Sequence, residues 1–342
     1  MIGVLLAQPP LRLLPNVFGE QPSRQRTSKL YPTLYVSLPS MEGKVIAVTG
    51  ASRGLGRVTA LSLAKKGAKV ILLNRPSETA DETLAEITGA ATGPAPVLVP
   101  CDLLDFASVR SAATLVLKDH TISHGLDALC LNAGIMLQPD IASKDGYDIT
   151  ASANVLSHFL LTRELMPALE LGASHRGDSR IVCMSSGSGF GPPAFNARFY
   201  ERDGGNLGGQ GASYERYHQS KLSNLLFTAS LHQRLTARGS GVKALACTPG
   251  VCGTDMFVHV QQLSRPSARV DLSRVPSVED GACAQLKCLC DPALGSGELW
   301  GARGIDGPPV QMAIAPPSVL VDEESMAALW GCCERAVGRF DL

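Results

Sequence analysis

From residue 44 onward, short runs of apolar and β-branched residues alternate with longer stretches in which apolar residues recur every three or four positions. The short runs indicate buried strands, and the longer stretches indicate helices with one apolar face. The strand-like runs are apolar throughout, which is typical of a parallel sheet with helices on both faces. The pattern therefore predicts an α/β domain built as a single doubly wound parallel sheet in three α/β/α layers. The predicted strands are 45–49, 69–74, 97–101, 128–131, 180–184 and 242–247, and the predicted helices are 57–66, 108–118, 151–169 and 214–236.

The first 40 residues show neither the apolar runs of buried strands nor the helical spacing of apolar residues every three or four positions. They contain six prolines, four basic residues and one acidic residue, and prolines at this density work against an amphipathic helix. We therefore predict an N-terminal extension over 1–40, disordered or draped over the surface, followed by one domain over 41–342. A basic, acid-poor N-terminus is also typical of a transit peptide. The predicted location is cytoplasmic, with a plastid or mitochondrion as the alternative, and Met41 leaves open a translation start at the domain itself.

Composition narrows the classes of function. The 31 basic and 31 acidic residues give a net charge of zero, so no global field favours a nucleic acid or an anionic membrane. No apolar run reaches the roughly 18 residues that a membrane-spanning helix needs. The ten cysteines lack the paired spacing and neighbouring histidines of a zinc site. We expect no metal, no nucleic acid and no transmembrane segment.

A glycine-rich turn at 50–56 joins the first predicted strand to the first predicted helix. Glycines let a pyrophosphate approach the helix N-terminus, where unpaired N–H groups and the helix dipole favour negative charge. The second strand ends at Asn74 and Arg75, without a carboxylate to bond a ribose 2′-OH. Arginine suits a 2′-phosphate, and Arg53 in the turn is close enough in sequence to join it. The expected cofactor is NADP(H), with NAD(H) as the alternative.

Tyr217 and Lys221 lie four residues apart in a predicted helix, so their side chains share one face. A phenol with a pKa of about 10 is a poor acid–base catalyst at neutral pH, and an adjacent ammonium is expected to lower that pKa. The pair therefore predicts a tyrosine that transfers a proton. Tyr214 lies seven residues from Lys221, so Tyr217 is preferred.

In order along the chain, the motifs resemble those of the short-chain dehydrogenase/reductase superfamily over about 43–338. They are Thr49-Gly50-x-x-x-Gly54-x-Gly56, Cys101-Asp102-Leu103, Leu131-Asn132-Ala133-Gly134, Asn154, Ser185-Ser186, Tyr217-x-x-x-Lys221 and Pro249-Gly250. The resemblance implies a Rossmann-like fold and hydride transfer between a nicotinamide cofactor and a carbonyl or alcohol. It assigns proton transfer to Tyr217, and ribose binding with electrostatic help to Lys221. Ser186 would orient the substrate oxygen, and Asn154 would complete a proton relay through water.

The same resemblance implies which residues hold the cofactor. Asp102 would contact the adenine edge, 132–134 would line the cofactor after the fourth strand, and 249–254 would bond the nicotinamide carboxamide. The predicted cofactor-binding residues are Gly50, Ser52, Arg53, Gly54, Leu55, Gly56, Asn74, Arg75, Asp102, Leu103, Asn132, Ala133, Gly134, Tyr217, Lys221, Pro249, Gly250 and Thr254.

Three stretches look like the branch that contains retinol dehydrogenases, WW-domain oxidoreductases and light-dependent protochlorophyllide reductases. They are 154–162, 217–227 and 322–334. The branch implies a lipophilic aldehyde, ketone or alcohol as the small-molecule substrate, and the oligomeric state, monomer or homodimer, stays open. The long connection between the predicted Ser186 and Tyr217 elements contains eight glycines, which indicates a mobile loop, and we predict a substrate loop over about 187–213.

Two alternative functions stay open at this point. One is light-driven reduction in the manner of the protochlorophyllide reductases, for which Cys252 would be the cysteine of interest. The other is a catalytically silent nucleotide-binding scaffold, against which the complete set of Asn154, Ser186, Tyr217 and Lys221 argues, because a scaffold has no need of all four.

Overall fold

The computed structural model describes residues 27–119, 122–257, 275–304, 306–313 and 321–342. Within these residues an eight-stranded sheet has the order β3-β2-β1-β4-β5-β6-β7-β8. The strands are β1 (Val45–Thr49), β2 (Lys69–Asn74), β3 (Val97–Pro100), β4 (Ala128–Leu131), β5 (Ser179–Met184), β6 (Val242–Thr248), β7 (Leu299–Ala302) and β8 (Pro309–Met312). The first seven strands are parallel, and β8 pairs antiparallel with β7. The six predicted strands are all confirmed, whereas β7 and β8 were not predicted.

The helices cover both faces of this sheet. They are α1 (Tyr31–Ser37), α2 (Gly54–Lys65), α3 (Glu78–Ala90), α4 (Phe106–Lys118), α5 (Ile149–Ala151), α6 (Ser157–Arg176), α7 (Ser213–Ala237), α8 (Val278–Cys290) and α9 (Glu323–Val337). A π-helical turn, Ser152–Leu156, joins α5 to α6. Helices α4, α6, α7 and α9 pack on one face, and α2, α3 and α8 pack on the other together with α1. The predicted three-layer, doubly wound fold is confirmed.

Strand β1 shows why the strand sequences are apolar without interruption. Val45 and Ala47 belong to the core on one face of the sheet, and Ile46 and Val48 belong to the core on the other. Successive strand side chains point to opposite faces, and both faces are covered, so every position of the strand is buried. A strand with one face in water would have alternated.

Part of the predicted N-terminal extension lies on the domain. The carboxylate of Asp280 in α8 accepts hydrogen bonds from the backbone N–H groups of Lys29, Leu30 and Tyr31, each at 2.9 Å. The Tyr31 hydroxyl lies 2.8 Å from the Ser62 hydroxyl of α2. Residues 1–26 lie outside the described residues, so the predicted targeting role stays a prediction. Among the helices described, none is long and apolar enough to cross a membrane.

The connection over 187–213 is more closely packed than its glycine content indicated. It contains three short 3-10 turns, Gly187–Gly189, Ala197–Tyr200 and Gln210–Ala212. Phe199, Tyr200 and Leu207 are buried in the same core as α6, α7 and α9. The expectation of a mobile loop is therefore corrected, because apolar side chains anchor the segment to the domain. Its place at the substrate opening stays a prediction.

Candidate active site

The candidate site lies where the strand order reverses. Strand β1 pairs with β2 on one side and with β4 on the other, so the connections after β1 and β4 leave the sheet in opposite directions. In doubly wound sheets, ligands bind in the crevice that this reversal opens at the carboxyl ends of the strands. The glycine-rich turn follows β1 and residues 132–134 follow β4, so the structure places these two predicted segments on either side of that crevice.

The glycine-rich turn depends on close backbone contacts. Gly50 has a φ of +65°, and a Cβ there would lie 2.9 Å from the Cα of Ala133. A Cβ on Gly56 would lie 2.3 Å from the carbonyl oxygen of Gly50. No side chain fits at either position, so the turn brings the N-terminus of α2 directly behind β1. The 12-residue α2 begins at Gly54, and its first N–H groups can bind an anion.

The segment after β4 is bonded to this turn. The Asn132 side chain donates from Nδ2 to the carbonyl oxygens of Thr49 (2.9 Å) and Gly50 (3.2 Å). The Ala133 N–H donates to Thr49 Oγ1 at 3.0 Å. These bonds fix the distance between the two sides of the crevice, which a rigid dinucleotide site requires.

The buried side-chain amide of Asn74 lacks hydrogen-bond partners within the described part of the chain. It ends β2 and is only 3% exposed, yet neither Oδ1 nor Nδ2 has a partner among the described residues. A buried amide without partners is costly, so this side chain fits a polar ligand group such as the adenosine ribose. The neighbouring Arg75 and the Arg53 of the turn are both exposed, and no ion pair is recorded for either among the described residues. Their guanidinium groups are available to an anion.

Asp102 and Leu103 follow β3, as predicted, but Asp102 also has a structural task. Its Oδ1 accepts from the N–H of Leu104 at 3.0 Å, which shapes the turn before α4. The carbonyl of Leu103 accepts from the Ser157 hydroxyl at 2.7 Å. These bonds fix the turn between β3 and α4, and the contact of Asp102 with the adenine stays a prediction.

The residues expected to carry the chemistry converge beside the crevice. Helix α7 holds Tyr217, Ser220 and Lys221 on one face, and the Lys221 ammonium lies 5.7 Å from the centre of the Tyr217 ring. Ser186 follows β5, and its hydroxyl is close enough to Tyr217 to lower the pKa of the phenol. Asn154 reaches this cluster by donating from Nδ2 to the Ser220 hydroxyl at 2.9 Å. The four predicted catalytic residues therefore meet in one place.

The structure also distinguishes each of these residues from a close neighbour. Tyr214 is 54% exposed on the outer surface of α7, whereas Tyr217 is 6% exposed. Ser185 is buried, and its hydroxyl donates to the backbone carbonyl of Lys221 at 2.7 Å. Ser185 therefore holds α7 against β5, while Ser186 faces Tyr217. This geometry agrees with the choice of Tyr217 and Ser186.

The predicted lowering of the Tyr217 pKa is wrong. Burial raises the pKa of Tyr217 to about 12, and the neighbouring hydroxyls of Ser186 and Ser188 offset only part of that rise. Burial also lowers the pKa of Lys221 to about 8. The ammonium donates to the carbonyl of Met184 at 3.0 Å and does not reach the phenol oxygen. Tyr217 is therefore held in its protonated form, as a proton donor requires.

Asn154 lies in the π-helical turn, and such turns are frequent at functional sites. Its Oδ1 accepts from the N–H of Ile135 at 2.8 Å, and its Nδ2 donates to the carbonyl of Ile135 at 3.0 Å. The side chain thereby fixes the segment that follows Gly134. Gly134 lies close to the catalytic cluster, because a Cβ there would lie 3.3 Å from Lys221 Nζ and 3.4 Å from Asn154 Oδ1.

His158 is a site residue that the sequence reasoning did not single out. Its Nε2 lies 2.9 Å from Thr49 Oγ1, and its Nδ1 lies 3.2 Å from the carbonyl oxygen of Asn154. Burial lowers the pKa of His158 to about 3, so the ring is neutral. A carbonyl can only accept, so the tautomer that bonds Asn154 carries its proton on Nδ1. The Thr49 hydroxyl then has two acceptors within reach, Nε2 of His158 and the carbonyl oxygen of Cys130 at 3.3 Å. This ring connects the glycine-rich turn to the π turn.

The segment after β6 closes the site from the other side. Gly250 has a φ of +68°, and its N–H donates to Thr248 Oγ1 at 3.3 Å. The side chain of Thr254 faces Gly54 in the glycine-rich turn, 3.7 Å from where a Cβ would stand. Pro249, Gly250 and Thr254 are thus near the crevice, as predicted.

Cys252 is not arranged as a reactive thiol. It is 5% exposed, and its Sγ would lie 2.6 Å from a Cβ on Gly281 of α8. Burial raises the pKa of its thiol to about 12, and a reactive cysteine needs its thiolate form near neutral pH. Cys252 therefore serves to pack α8 against the segment after β6.

This fold and this site define a protein that binds a dinucleotide at the topological switch point and holds a protonated tyrosine beside it. Residues 44–200 match the family model of the short chain dehydrogenases. The polyprenol dehydrogenase of Mus musculus is 33% identical over 295 residues, which cover 86% of this chain and 83% of that protein. Retinol dehydrogenase 11 of Homo sapiens is 36% identical over 228 residues, which cover 66% of each chain.

A solved structure shares this fold. The crystal structure of an uncharacterized protein from Mycobacterium paratuberculosis is similar with a TM-score of 0.69 and 29% identity, and the match covers 92% of this chain and 100% of that chain. The chain belongs to the short-chain dehydrogenase/reductase family and is an oxidoreductase. The family recognised from the motifs is confirmed, as is the kinship with retinol dehydrogenases. Members of the family bind nicotinamide cofactors.

Proposed function

We propose that the protein is an NADP(H)-dependent oxidoreductase that interconverts a lipophilic carbonyl compound and its alcohol. The observation that carries the proposal is the buried cluster of Ser186, Tyr217 and Lys221 beside the crevice at the switch point. A nicotinamide cofactor supplies or accepts the hydride when it is bound. What the chain itself contributes is a fixed proton donor, an orienting hydroxyl and a positive charge.

The residues present fit such a cofactor. The turn at 50–56 needs glycine because a Cβ at Gly50 or Gly56 would collide with the backbone of Ala133 or Gly50, and the first N–H groups of α2 in this turn can bind a pyrophosphate. The unpartnered amide of Asn74 suits the ribose hydroxyls, and the exposed Arg53 and Arg75 suit a 2′-phosphate. These features favour NADP(H) over NAD(H), because no carboxylate ends β2 to bond a free 2′-OH.

Proton transfer follows from the burial of Tyr217. With a pKa of about 12, the phenol keeps its proton until a stronger base forms next to it. The oxygen of a carbonyl that receives hydride becomes such a base. Ser186 can hold this oxygen, because it follows β5 and its hydroxyl acts on the Tyr217 phenol. The Lys221 ammonium, with a pKa of about 8, is charged at neutral pH and stabilises the phenolate that remains.

The substrate class is proposed from the relatives and from the loop. Polyprenol and retinol, named in the two curated relatives, are long apolar alcohols. In this chain Phe190 and Phe195 lie in the 187–213 connection and are only partly buried. We propose that their apolar rings border the substrate opening and favour a lipophilic substrate.

The first experiment measures cofactor binding and turnover separately. Thermal shift with NADPH and with NADH should give the larger stabilisation for NADPH. A panel of aldehydes and ketones, including retinal and long-chain aldehydes, is then tested in the dark with NADPH. Tyr217→Phe should bind NADPH as the wild type does and lose turnover. Undiminished turnover in Tyr217→Phe would refute the role of the phenol. Binding without turnover of any compound would favour a silent scaffold, and turnover only under illumination would favour light-driven reduction.

A further inference from the structure

The turn that follows β5 presents two hydroxyl groups to Tyr217. Ser186 precedes the 3-10 turn Gly187–Gly189, and Ser188 lies within it. The predictions from the sequence used only Ser186. The hydroxyl oxygen of Ser188 is buried and completes no hydrogen bond of full geometry with the residues that the structure describes. A buried hydroxyl in this state needs a partner that arrives during function or stands close by.

The backbone of Ser188 is fixed at both ends. Its N–H donates to Ser186 Oγ at 3.3 Å, and its carbonyl accepts from Nδ1 of His218. His218 is the residue after Tyr217, and its Nε2 contacts the carbonyl of Pro193 at 2.8 Å. The turn and the start of α7 are therefore joined immediately beside the Tyr217 side chain.

Gly189 brings the turn still closer to α7. A Cβ there would lie 2.7 Å from the backbone nitrogen of Leu222 and 2.7 Å from the carbonyl carbon of Lys221. The close packing of the turn on the helix holds the backbone of Ser188 beside α7, the helix that carries Tyr217. Ser186 and Ser188 are the two neighbouring hydroxyls that favour the ionised form of Tyr217.

We propose that Ser188 is a second catalytic hydroxyl, which donates a hydrogen bond to the Tyr217 oxygen when that oxygen is ionised. The inference rests on the proposed function. In carbonyl reduction, the O–H bond of Tyr217 breaks, the proton joins the substrate oxygen, and the electron pair stays on the phenol oxygen. Ser188 keeps its own proton throughout and points it at the new phenolate. Ser186 is then free to bind the substrate oxygen. The two serines therefore have different roles, since Ser188 stabilises the phenolate and Ser186 positions the substrate.

The proposal makes a different prediction from a purely structural role. If Ser188 only shapes the turn, its replacement changes stability and leaves the ionisation of Tyr217 alone. If its hydroxyl bonds the phenolate, its loss disfavours ionisation, raises the Tyr217 pKa and slows every proton transfer through that oxygen. Thr and Val have nearly the same shape and differ by one hydroxyl, so Ser188→Thr and Ser188→Val form a matched pair.

The test reads the ionisation of residue 217 directly. Tyr217 is replaced by a fluorinated tyrosine whose phenol ionises in the neutral range, and its absorbance is titrated in the Ser188, Ser188→Thr and Ser188→Val backgrounds. We expect Ser188→Val to raise the phenol pKa by about one unit, a tenfold change in ionisation, and Ser188→Thr to leave it in place. Gly187→Ala is the control, because a Cβ at Gly187 meets no atom within 4 Å. Equal pKa values in the Thr and Val variants would overturn the proposal.

Turnover of the natural tyrosine enzyme gives the second measurement. Ser188→Val should oxidise an accepted alcohol about tenfold more slowly at a fixed pH, with unchanged NADPH binding and unchanged thermal stability. A rate equal to that of Ser188→Thr would also overturn the proposal. If the wild type acts on no carbonyl or alcohol while the titration still shows the shift, the proposed function fails and the hydrogen bond from Ser188 stands.

Discussion

We expect Arg216→Ala to lose about 3–5 kcal/mol of unfolding free energy, because it breaks a buried ion pair from one side. The side chain of Arg216 is 1% exposed. It donates to the carbonyls of Leu207 at 3.2 Å, Gly209 at 2.7 Å and Gln138 at 2.9 Å. Its Nε lies 3.2 Å from Oδ2 of Asp148, which is equally buried.

The magnitude follows from what the substitution leaves behind. The carbonyls of Leu207, Gly209 and Gln138 lose a charged donor, and the buried Asp148 carboxylate loses its nearby cation. The pKa of Asp148 is already raised, because burial outweighs the effect of the N–H groups that it caps and of Arg216. A folded pKa above the unfolded one means that the ionised form costs stability, and this cost disappears as the pH falls and the group protonates. The loss in Arg216→Ala should therefore be larger at about pH 8 than at about pH 5.

The assay is equilibrium unfolding in urea at both pH values, followed by circular dichroism. Arg57→Ala is the matched control, because Arg57 pairs with Glu86 at the surface and the two side chains are 39% and 38% exposed. An exposed pair of this kind contributes at most about 1 kcal/mol. If Arg216→Ala loses no more than Arg57→Ala, or if its loss is the same at both pH values, the reasoning about the buried pair is refuted. A total stability of about 5–15 kcal/mol makes the expected loss easy to resolve.

Three further predictions concern the site. Since Lys221 has a pKa of about 8, its charge is present below that pH and lost above it, so carbonyl reduction at saturating cofactor should decline above about pH 8; a flat profile to about pH 10 would contradict this. Arg75→Ala should weaken NADPH binding about tenfold or more and leave NADH binding unchanged. The exposed control Lys118→Ala should change neither dissociation constant. Equal effects of Arg75→Ala on both cofactors would exclude a contact between Arg75 and the 2′-phosphate. His158→Gln, which keeps a donor and an acceptor, should retain more cofactor affinity and kcat than His158→Leu, and equal values for the two variants would assign the ring to packing alone.

Strands and helices could be predicted where residues close together in the sequence determine them. Continuous apolar runs identify strands such as β1 because both faces of the sheet are covered. Helices α3, α8 and α9 were not predicted, although each carries a signal at its first turn. The side chains of Ser77, Ser277 and Asp322 cap these helices by accepting from backbone N–H groups three residues on. Capping residues followed by an amphipathic stretch would have found them.

Strands β7 and β8 had no such signal. Each is only four residues long, and β8 contains Pro309 and the exposed Gln311. Its antiparallel direction follows from pairing with β7 at the edge of the sheet, which is a tertiary contact. Short edge strands are identified by their neighbours more than by their own pattern.

The site shows the same division between local and tertiary information. Helical spacing places Tyr217 and Lys221 on one face, and the motif order indicates the crevice. The direction of the Tyr217 pKa could not be predicted, because it depends on how deeply the phenol is buried and on where the ammonium is bonded. Both are properties of the packed structure. The Lys221 ammonium is bonded to the Met184 carbonyl, and the spacing of residues along the chain does not predict that contact.

The 187–213 connection shows why glycine content misled the prediction of mobility. Arg216, His218 and Gln219 look like polar surface residues of α7, yet all three are buried. The Gln219 side chain accepts from the N–H of Asn196 at 2.9 Å and donates to the carbonyl of Ala194 at 2.8 Å, as Arg216 and His218 bind other backbone groups. Because these bonds are made with backbone groups of the loop, they form whether or not the loop residues have side chains. A high glycine content therefore does not weaken them. The helix that carries Tyr217 therefore holds the loop by its main chain, and these bonds do not depend on which side chains the loop carries.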